Sequence, residues 1–339
     1  MEYFRPLAMT DPARPAAALT LAGGWCWFDR VEVLSRAAPS RIIVASEVPA
    51  PVLHRLTAPR PAFAGLTLDR PRLMGILNVT PDSFSDGGRF LAAEPAVAQA
   101  RAMAEGAEII DIGGESTRPG AVEVSVAEEI SRTAPVIRAL REGGLTAPIS
   151  IDTRKAPIAQ AALQAGASIV NDVSAFDFDP MLGPLVAEAG VPIILMHAQG
   201  VPATMQDDPR YGDVLLDVYD ALATRLARAE ALGIDRTRIM LDPGIGFGKT
   251  QAHNLTLLRG LSLFHGLGCP ILLGTSRKRF IGAIGRADQP QDRAPGSIAT
   301  ALAGVAQGVQ LVRVHDVAET RQALRLWQAM NTDHLENEQ

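Results

Sequence analysis

From Arg72 onward the chain repeats one kind of unit. Short apolar runs near 72–77, 108–112, 147–151, 168–171, 192–196, 238–241, 270–273 and 310–314 are bounded by Gly, Pro, Asn or Asp, and longer amphipathic stretches separate them. Brief apolar runs alternating with helix-length segments predict βα units on a parallel sheet. The stretch from Asp213 to Leu232 shows the helical half of the unit. Val214, Leu215, Val218, Leu222, Leu226 and Ala229 share one face, and Gly233 supplies a stop. Eight strands and as many helices within roughly 260 residues predict a (β/α)8 TIM barrel of the α/β class. An open, doubly wound sheet is the alternative, because periodicity does not prove closure.

The first 65 residues read differently. They are rich in Ala, Pro and Arg and hold three apolar runs, at 17–21, 31–34 and 41–44. They are expected to form a small extension of strands and turns, its role open. The aromatic cluster Gly23-Gly24-Trp25-Cys26-Trp27-Phe28 reads as local core or as an interface. Residues 66–330 are assigned to the barrel and 331–339 to a polar tail.

Charge and cysteine usage narrow the partners. A formal net charge of −5 argues against a broad nucleic-acid surface, though not against a local cationic pocket. No run approaches the roughly 20 apolar residues that span a bilayer. Cys26 and Cys269 are too few and too far apart for a disulfide framework or a zinc site, so reduced thiols and a cytoplasmic location are expected.

Polar residues follow nearly every apolar run: Asn78 and the Thr80–Gly88 loop; Asp111 and Gly113 to Gly120; Asp152; Asn171-Asp172; Met196-His197 with Gln199; Asp242 to Lys249; Gly274 to Lys278; Arg313 with His315-Asp316. A parallel barrel gathers these carboxyl ends on one rim. A single Asp after a strand is equally readable as a helix cap, but capping does not account for eight such ends together. Ionised Asp accepts two hydrogen bonds and Asn both donates and accepts, so Asp152, Asn171 and Asp242 suit a flat heterocycle with several N–H donors. Arg118, Lys278, Arg313 and His315 suit phosphate oxygens or ring stacking. Gly248-Lys249-Thr250 imitates the end of a phosphate-binding P-loop, but Pro243 stands where that motif needs its first glycine. Lys249 likewise replaces the third glycine of a dinucleotide fingerprint.

These segments, from Met74–Gly88 through Asp111–Gly120, Ser150–Thr153, Asn171–Val173, Leu195–His197, Asp242–Lys249 and Ser276–Lys278 to Arg313–Asp316, resemble the dihydropteroate synthase family in order and placement. The likeness runs from about Leu66 to about Leu326 and leaves the N-terminal extension unmatched. It implies a barrel that binds 6-hydroxymethyl-7,8-dihydropterin pyrophosphate in its mouth and joins it to para-aminobenzoate in folate biosynthesis.

By this resemblance, Asp152, Asn171, Asp242 and Lys278 hold the pterin's polar edge, Met196 packs on its ring, and Arg313 stacks on it and reaches phosphate. Asn78, through Mg2+, joins Arg118, Arg313 and His315 at the pyrophosphate. Phe84, Thr117, Pro119, Gly246, Ser276 and Lys278 form the para-aminobenzoate site. Asp86 in the first loop either steadies a cation or orders the loop; with Arg118, Lys278, Arg313 and His315 it completes the expected catalytic set. The resemblance also implies sulfonamide inhibition and a homodimer. A pterin-dependent methyltransferase domain and a non-catalytic pterin-binding paralogue are the alternatives. The intact Thr117-Arg118-Pro119 segment and the Arg313/His315 pair speak against the first, and the presence of both loops, neither degraded, against the second. Structural readings stand beside the functional ones: His197 as a core histidine, Asp172 as a local cap, Asp111 as an organiser of the second loop rather than a group that helps bind metal-pyrophosphate, Arg277 in a scaffold ion pair, and His253 and His265 at surface or helix positions.

Overall fold

A computed structural model describes residues 1–79, 93–116, 123–200 and 205–331. The N-terminal segment forms β1 (Glu2–Pro6), β2 (Leu19–Thr20), β3 (Trp27–Phe28), β4 (Arg30–Ser35), β5 (Arg41–Val44) and α1 (Ala50–Thr57). The sheet order is β1-β4-β5, antiparallel, with β2 and β3 as a separate pair. Leu21, Cys26, Phe28, Val31 and Leu56 make a core of its own. The segment is also bound to the barrel. Trp25 Nε1 donates to Val305 O at 2.8 Å, Ser262 Oγ to Pro6 O at 2.8 Å, and the buried Arg60 guanidinium to His265 O at 3.0 Å. The aromatic cluster therefore divides: Phe28 is local core, while Trp25 packs on both bodies. His265 stands on a 3-10 turn, but it is fully buried under this segment rather than at the surface.

The barrel then alternates strand and helix. Its elements are β6 (Arg72–Asn78), α2 (Ala93–Ala104), β7 (Ile109–Gly113), α3 (Val126–Glu142), β8 (Ile149–Asp152), α4 (Ala156–Ala165), β9 (Ile169–Asp172), α5 (Leu182–Ala189), β10 (Ile193–Met196), α6 (Val214–Ala231), β11 (Ile239–Asp242), α7 (Gln251–Arg259), β12 (Leu272–Leu273), α8 (Arg279–Gly285), α9 (Ala294–Val305), β13 (Leu311–Val314) and α10 (Val317–Asn331). All ladder pairs are parallel, in the order β11-β10-β9-β8-β7-β6-β13-β12. A parallel bridge between Leu241 and Ile271, with Leu241 N donating to Pro270 O at 3.0 Å, brings the two ends together. β12 is the shortest of the eight. Pro270 stands at its start and lacks the N–H that would extend the ladder.

Local chemistry explains the helix ends. The Asp213 side chain accepts from Leu215 N and Leu216 N and caps α6. Gly233, at φ +90°, follows its end. Thr250 and His253 form a reciprocal capping box at the start of α7. Both cysteines are free and buried. No described helix is long and apolar enough to cross a membrane.

Inside the strands, Met74, Ile109, Ile169, Ile194, Met240, Leu272 and Leu311 form one apolar cluster, and Phe63 and Leu68 pack against it from the segment that leads into β6. Phe63 pairs with Leu66 across Ala64-Gly65, both at positive φ, in a tight turn. Phe63→Ala should therefore remove about 3–5 kcal/mol of stability, read as a lower urea midpoint with an unchanged m-value.

Candidate active site

Strand side chains alternate, so the residue two places after each interior apolar one returns to the interior. Applied to the apolar cluster, this rule takes Ile109 to Asp111, Ile169 to Asn171, Ile194 to Met196, Met240 to Asp242, Leu272 to Gly274 and Leu311 to Arg313. Asn78 lies four residues past Met74 on the same face, and Asp152 pairs with Asn171 across β8 and β9. The polar layer is thus stacked on the apolar one, toward the carboxyl ends.

Arg313 organises that layer. Its Nε donates to Asp111 Oδ2 at 2.6 Å and its Nη2 to Asp152 Oδ2 at 2.7 Å. Asn171 Nδ2 also donates to Asp111 Oδ2, at 3.2 Å. Oδ1 of Asp111 and Oδ1 of Asp152 are both buried, and neither has a partner among the described residues. Burial pushes the Asp152 carboxyl up to about 7; Arg313 opposes the rise, and the neighbouring carboxylates Asp111, Glu129 and Asp172 add to it. Burial also pushes Arg313 down, but Asp111 and Asp152 more than offset this and hold its guanidinium above the usual arginine range.

A second group forms on the far side. Asp242, raised by burial and held back by Lys278, accepts from Gly244 N at 2.7 Å. Gly244 sits at φ +67°, and a Cβ there would lie 1.8 Å from His197 O, so no other residue fits this turn. Lys278 Nζ donates to Ile245 O and lies 4.5 Å from the centre of the Phe247 ring. Its stem runs beside Gly246, where a Cβ would approach Lys278 Cδ to 3.0 Å. Burial brings the Lys278 ammonium down to about 8; Asp242 opposes that fall and Arg313 favours it. Ser276 Oγ accepts from His315 N at 3.1 Å and faces His315 Nδ1 at 2.9 Å, which fixes the imidazole.

Several residues have scaffold partners. Asp172 accepts from Ser174 N and Phe176 N and closes its own turn. Arg277, at φ +58°, makes a two-pronged pair with Asp316. His197 is buried and meets Lys249 Nζ at 2.9 Å. Burial lowers its pKa to about 2, with Lys249 adding to the fall.

The structure thus brings Asp152, Asn171 and Arg313 into one hydrogen-bonded set, with Asp242, Gly246 and Lys278 in a second and Ser276 with His315 in a third. Phe84, Asp86, Thr117, Arg118 and Pro119 lie outside the described residues. Sequence reading dismissed Lys249 as a decoy and left Asp111 between two roles. Strand alternation would have placed Asp111 inside; no local signal marks Lys249. Sequence reading also missed the network beside the second loop, in which Lys155 bridges Glu115 and Glu129 while Arg154 pairs with Glu115.

The pterin binding enzyme family matches residues 74–315. Curated relatives named dihydropteroate synthase include those of Synechocystis, 48% identical across 76% of this chain and 89% of the relative, and Escherichia coli K12, 46% identical across 76% and 90%. The chain belongs to the dihydropteroate synthase family. Solved dihydropteroate synthases share the fold. The Xanthomonas albilineans enzyme with 4-aminobenzoic acid superposes with a TM-score of 0.76 at 48% identity, over 81% of this chain and 99% of that one. Its complex with 7,8-dihydropteroate gives 0.73 at 45%, over 81% and 100%. Among dihydropteroate synthases, then, this chain has the family barrel and a further N-terminal segment that precedes the matched residues.

Asp152 makes the stability of this synthase depend on pH. Its folded-state pKa lies above that of an unfolded aspartate, near 3.9. The folded state therefore binds more protons between about pH 4 and pH 7, and this contribution is present at low pH and lost as pH rises. Urea unfolding across that range should show wild-type stability falling relative to Asp152→Asn as pH increases; a constant difference would contradict the assignment.

Proposed function

We propose that the chain condenses 6-hydroxymethyl-7,8-dihydropterin pyrophosphate with para-aminobenzoate to give 7,8-dihydropteroate and pyrophosphate. The observation that carries this reading is the pair of buried carboxylate oxygens without partners among the described residues, Oδ1 of Asp111 and Oδ1 of Asp152. Leaving a buried acceptor empty costs about 1–3 kcal/mol, so a mouth built this way favours a ligand that brings N–H donors. The amino-pyrimidine edge of a pterin does so. On this reading Asp152, Asn171, Asp242 and Lys278 grip that edge, Met196 lies against the ring, and Arg313 covers a face while also reaching toward phosphate. Gly246, Ser276 and Lys278, with Phe84, Thr117 and Pro119 of the two loops, take para-aminobenzoate.

The reaction breaks the bond from the methylene carbon to a pyrophosphate oxygen. The electron pair leaves with the pyrophosphate, the dihydropterin ring spreads the positive charge left on carbon, and the arylamine nitrogen forms the new bond and loses a proton. Arg118, Arg313 and His315 stabilise charge on the leaving group. Asp86 steadies the developing cation or orders its loop. No covalent enzyme intermediate is needed, so no activated Ser or Cys is called for.

Mg2+ fits this site. Asn78 offers a hard amide oxygen, and the missing side chain of Gly113 leaves room between it and Asp152: a Cβ there would lie 3.8 Å from Asn78 Oδ1 and 3.6 Å from Asp152 Cβ. The described residues hold no cluster of three acidic, His or Cys ligands. Bound there, Mg2+ would neutralise pyrophosphate charge.

Two measurements test the reading. Arg118→Ala should lower kcat/KM for dihydropteroate formation by about a hundredfold or more without shifting the melting temperature; unchanged kinetics would remove Arg118 from the pyrophosphate site. A Yersinia pestis relative, 44% identical, has been solved with a sulfonamide drug. Sulfonamides should therefore inhibit this enzyme competitively against para-aminobenzoate, and non-competitive patterns would count against the arylamine site.

A further inference from the structure

Lys249 follows the Pro243–Gly248 loop and is almost completely buried, 2% exposed. Its Nζ has four polar partners: Gly244 O at 2.8 Å, His197 Nδ1 at 2.9 Å, Phe247 O at 3.0 Å and His197 O at 3.3 Å. Among the described residues it makes no ion pair within 4.0 Å. Burial without a carboxylate pushes its pKa well below the usual lysine value. Three carbonyl oxygens converge on this one nitrogen, which donates to them whether or not it carries its extra proton.

The carbonyls that Lys249 grips belong to the residues that set the mouth. The Gly244 peptide is held at both ends: its N–H binds Asp242 Oδ1 and its C=O binds Lys249. Phe247 gives its carbonyl to Lys249, and its ring backs the Lys278 ammonium. Lys278 grips the same loop through Ile245 O. Two lysine side chains therefore clamp one loop, Lys278 in the mouth and Lys249 buried beneath. Asn254 Oδ1 accepts from Gly246 N at 2.7 Å and holds the middle.

We propose that Lys249 is a positioning residue for the condensation, fixing the carboxylate of Asp242 and the ammonium of Lys278 through the loop between them without touching either substrate. This inference rests on the reading that Asp242 faces the pterin and Gly246 the arylamine.

Lys249→Met keeps an unbranched stem and removes the amino group. The test compares it with wild type and with Asp242→Asn, measuring pterin pyrophosphate affinity, KM for para-aminobenzoate, kcat and melting temperature. In the folded Met variant the pterin Kd and the para-aminobenzoate KM should both rise about tenfold or more. A merely structural lysine would lower the melting temperature and the folded fraction but leave both constants within twofold, which would overturn the proposal. Retention of pterin affinity by Asp242→Asn would instead overturn the reading of the pocket. Should the Met variant not fold, wild-type protein labelled with 15N at lysine and histidine decides. The Lys249 Nζ and His197 Nδ1 signals should shift on saturation with 7,8-dihydropteroate, and signals that stay in place would refute the clamp.

Discussion

Asp111 and Asp152 stand side by side inside this barrel, and the Arg313 guanidinium is what allows them to stay there. Isolated buried charges of one sign would have to neutralise or be expelled. A planar fork presents its donors in different directions, so one arginine reaches Asp111 on β7 and Asp152 on β8 from its own place on β13. The arrangement does not satisfy either carboxylate completely. Among the described residues each keeps one buried oxygen without a partner, so the layer is stabilised but not saturated. Below it the barrel is apolar and plugged by Phe63; above it lie the loops.

The other half of the mouth follows a different principle. Its backbone is irregular, with Gly244, Gly246 and Gly248 all at positive φ, and no strand ladder holds it. Irregular backbone this well buried needs a partner for its polar groups, and side chains supply them. Asp242 takes the Gly244 N–H, Asn254 the Gly246 N–H, Lys278 the Ile245 carbonyl, and Tyr211 the Gly248 carbonyl. The loop is therefore held as a wall between the Asp242 carboxylate and the Lys278 ammonium. Rigid walls of this kind lower the ordering cost of binding two substrates in one geometry.

The N-terminal segment contributes differently. It carries its own apolar centre, and its ties run to the turn after α7 and the end of α9, on the amino-terminal side of β12 and β13, with further ones from Tyr3 and Arg36 to α6 and from Thr10 to α10. Arg60 and His265 are both buried along that seam, each with one nitrogen unpaired among the described residues. That seam lies at the opposite end of these strands from Ser276, Lys278 and Arg313.

Much of this was legible in the sequence. Eight apolar runs of strand length define the barrel, and period-two alternation alone carries Ile109 to Asp111 and Met240 to Asp242. Helix ends such as Asp213 and Gly233 are local chemistry and were readable as such. Sequence could also mark Asp152, Asn171, Asp242 and Arg313 as polar residues at strand ends. It could not say who pairs with whom. Arg313 meets partners 202 and 161 residues away, because strand order and register set β13 near β7 and β8 in the closed barrel. Lys249 looked like a fragment of a phosphate loop, and only the packing of β10 against β11 puts His197 beside it. Strand type and side-chain face follow from a few neighbouring residues. The pairing of charges depends on distances between elements, and those exist only once the sheet has closed.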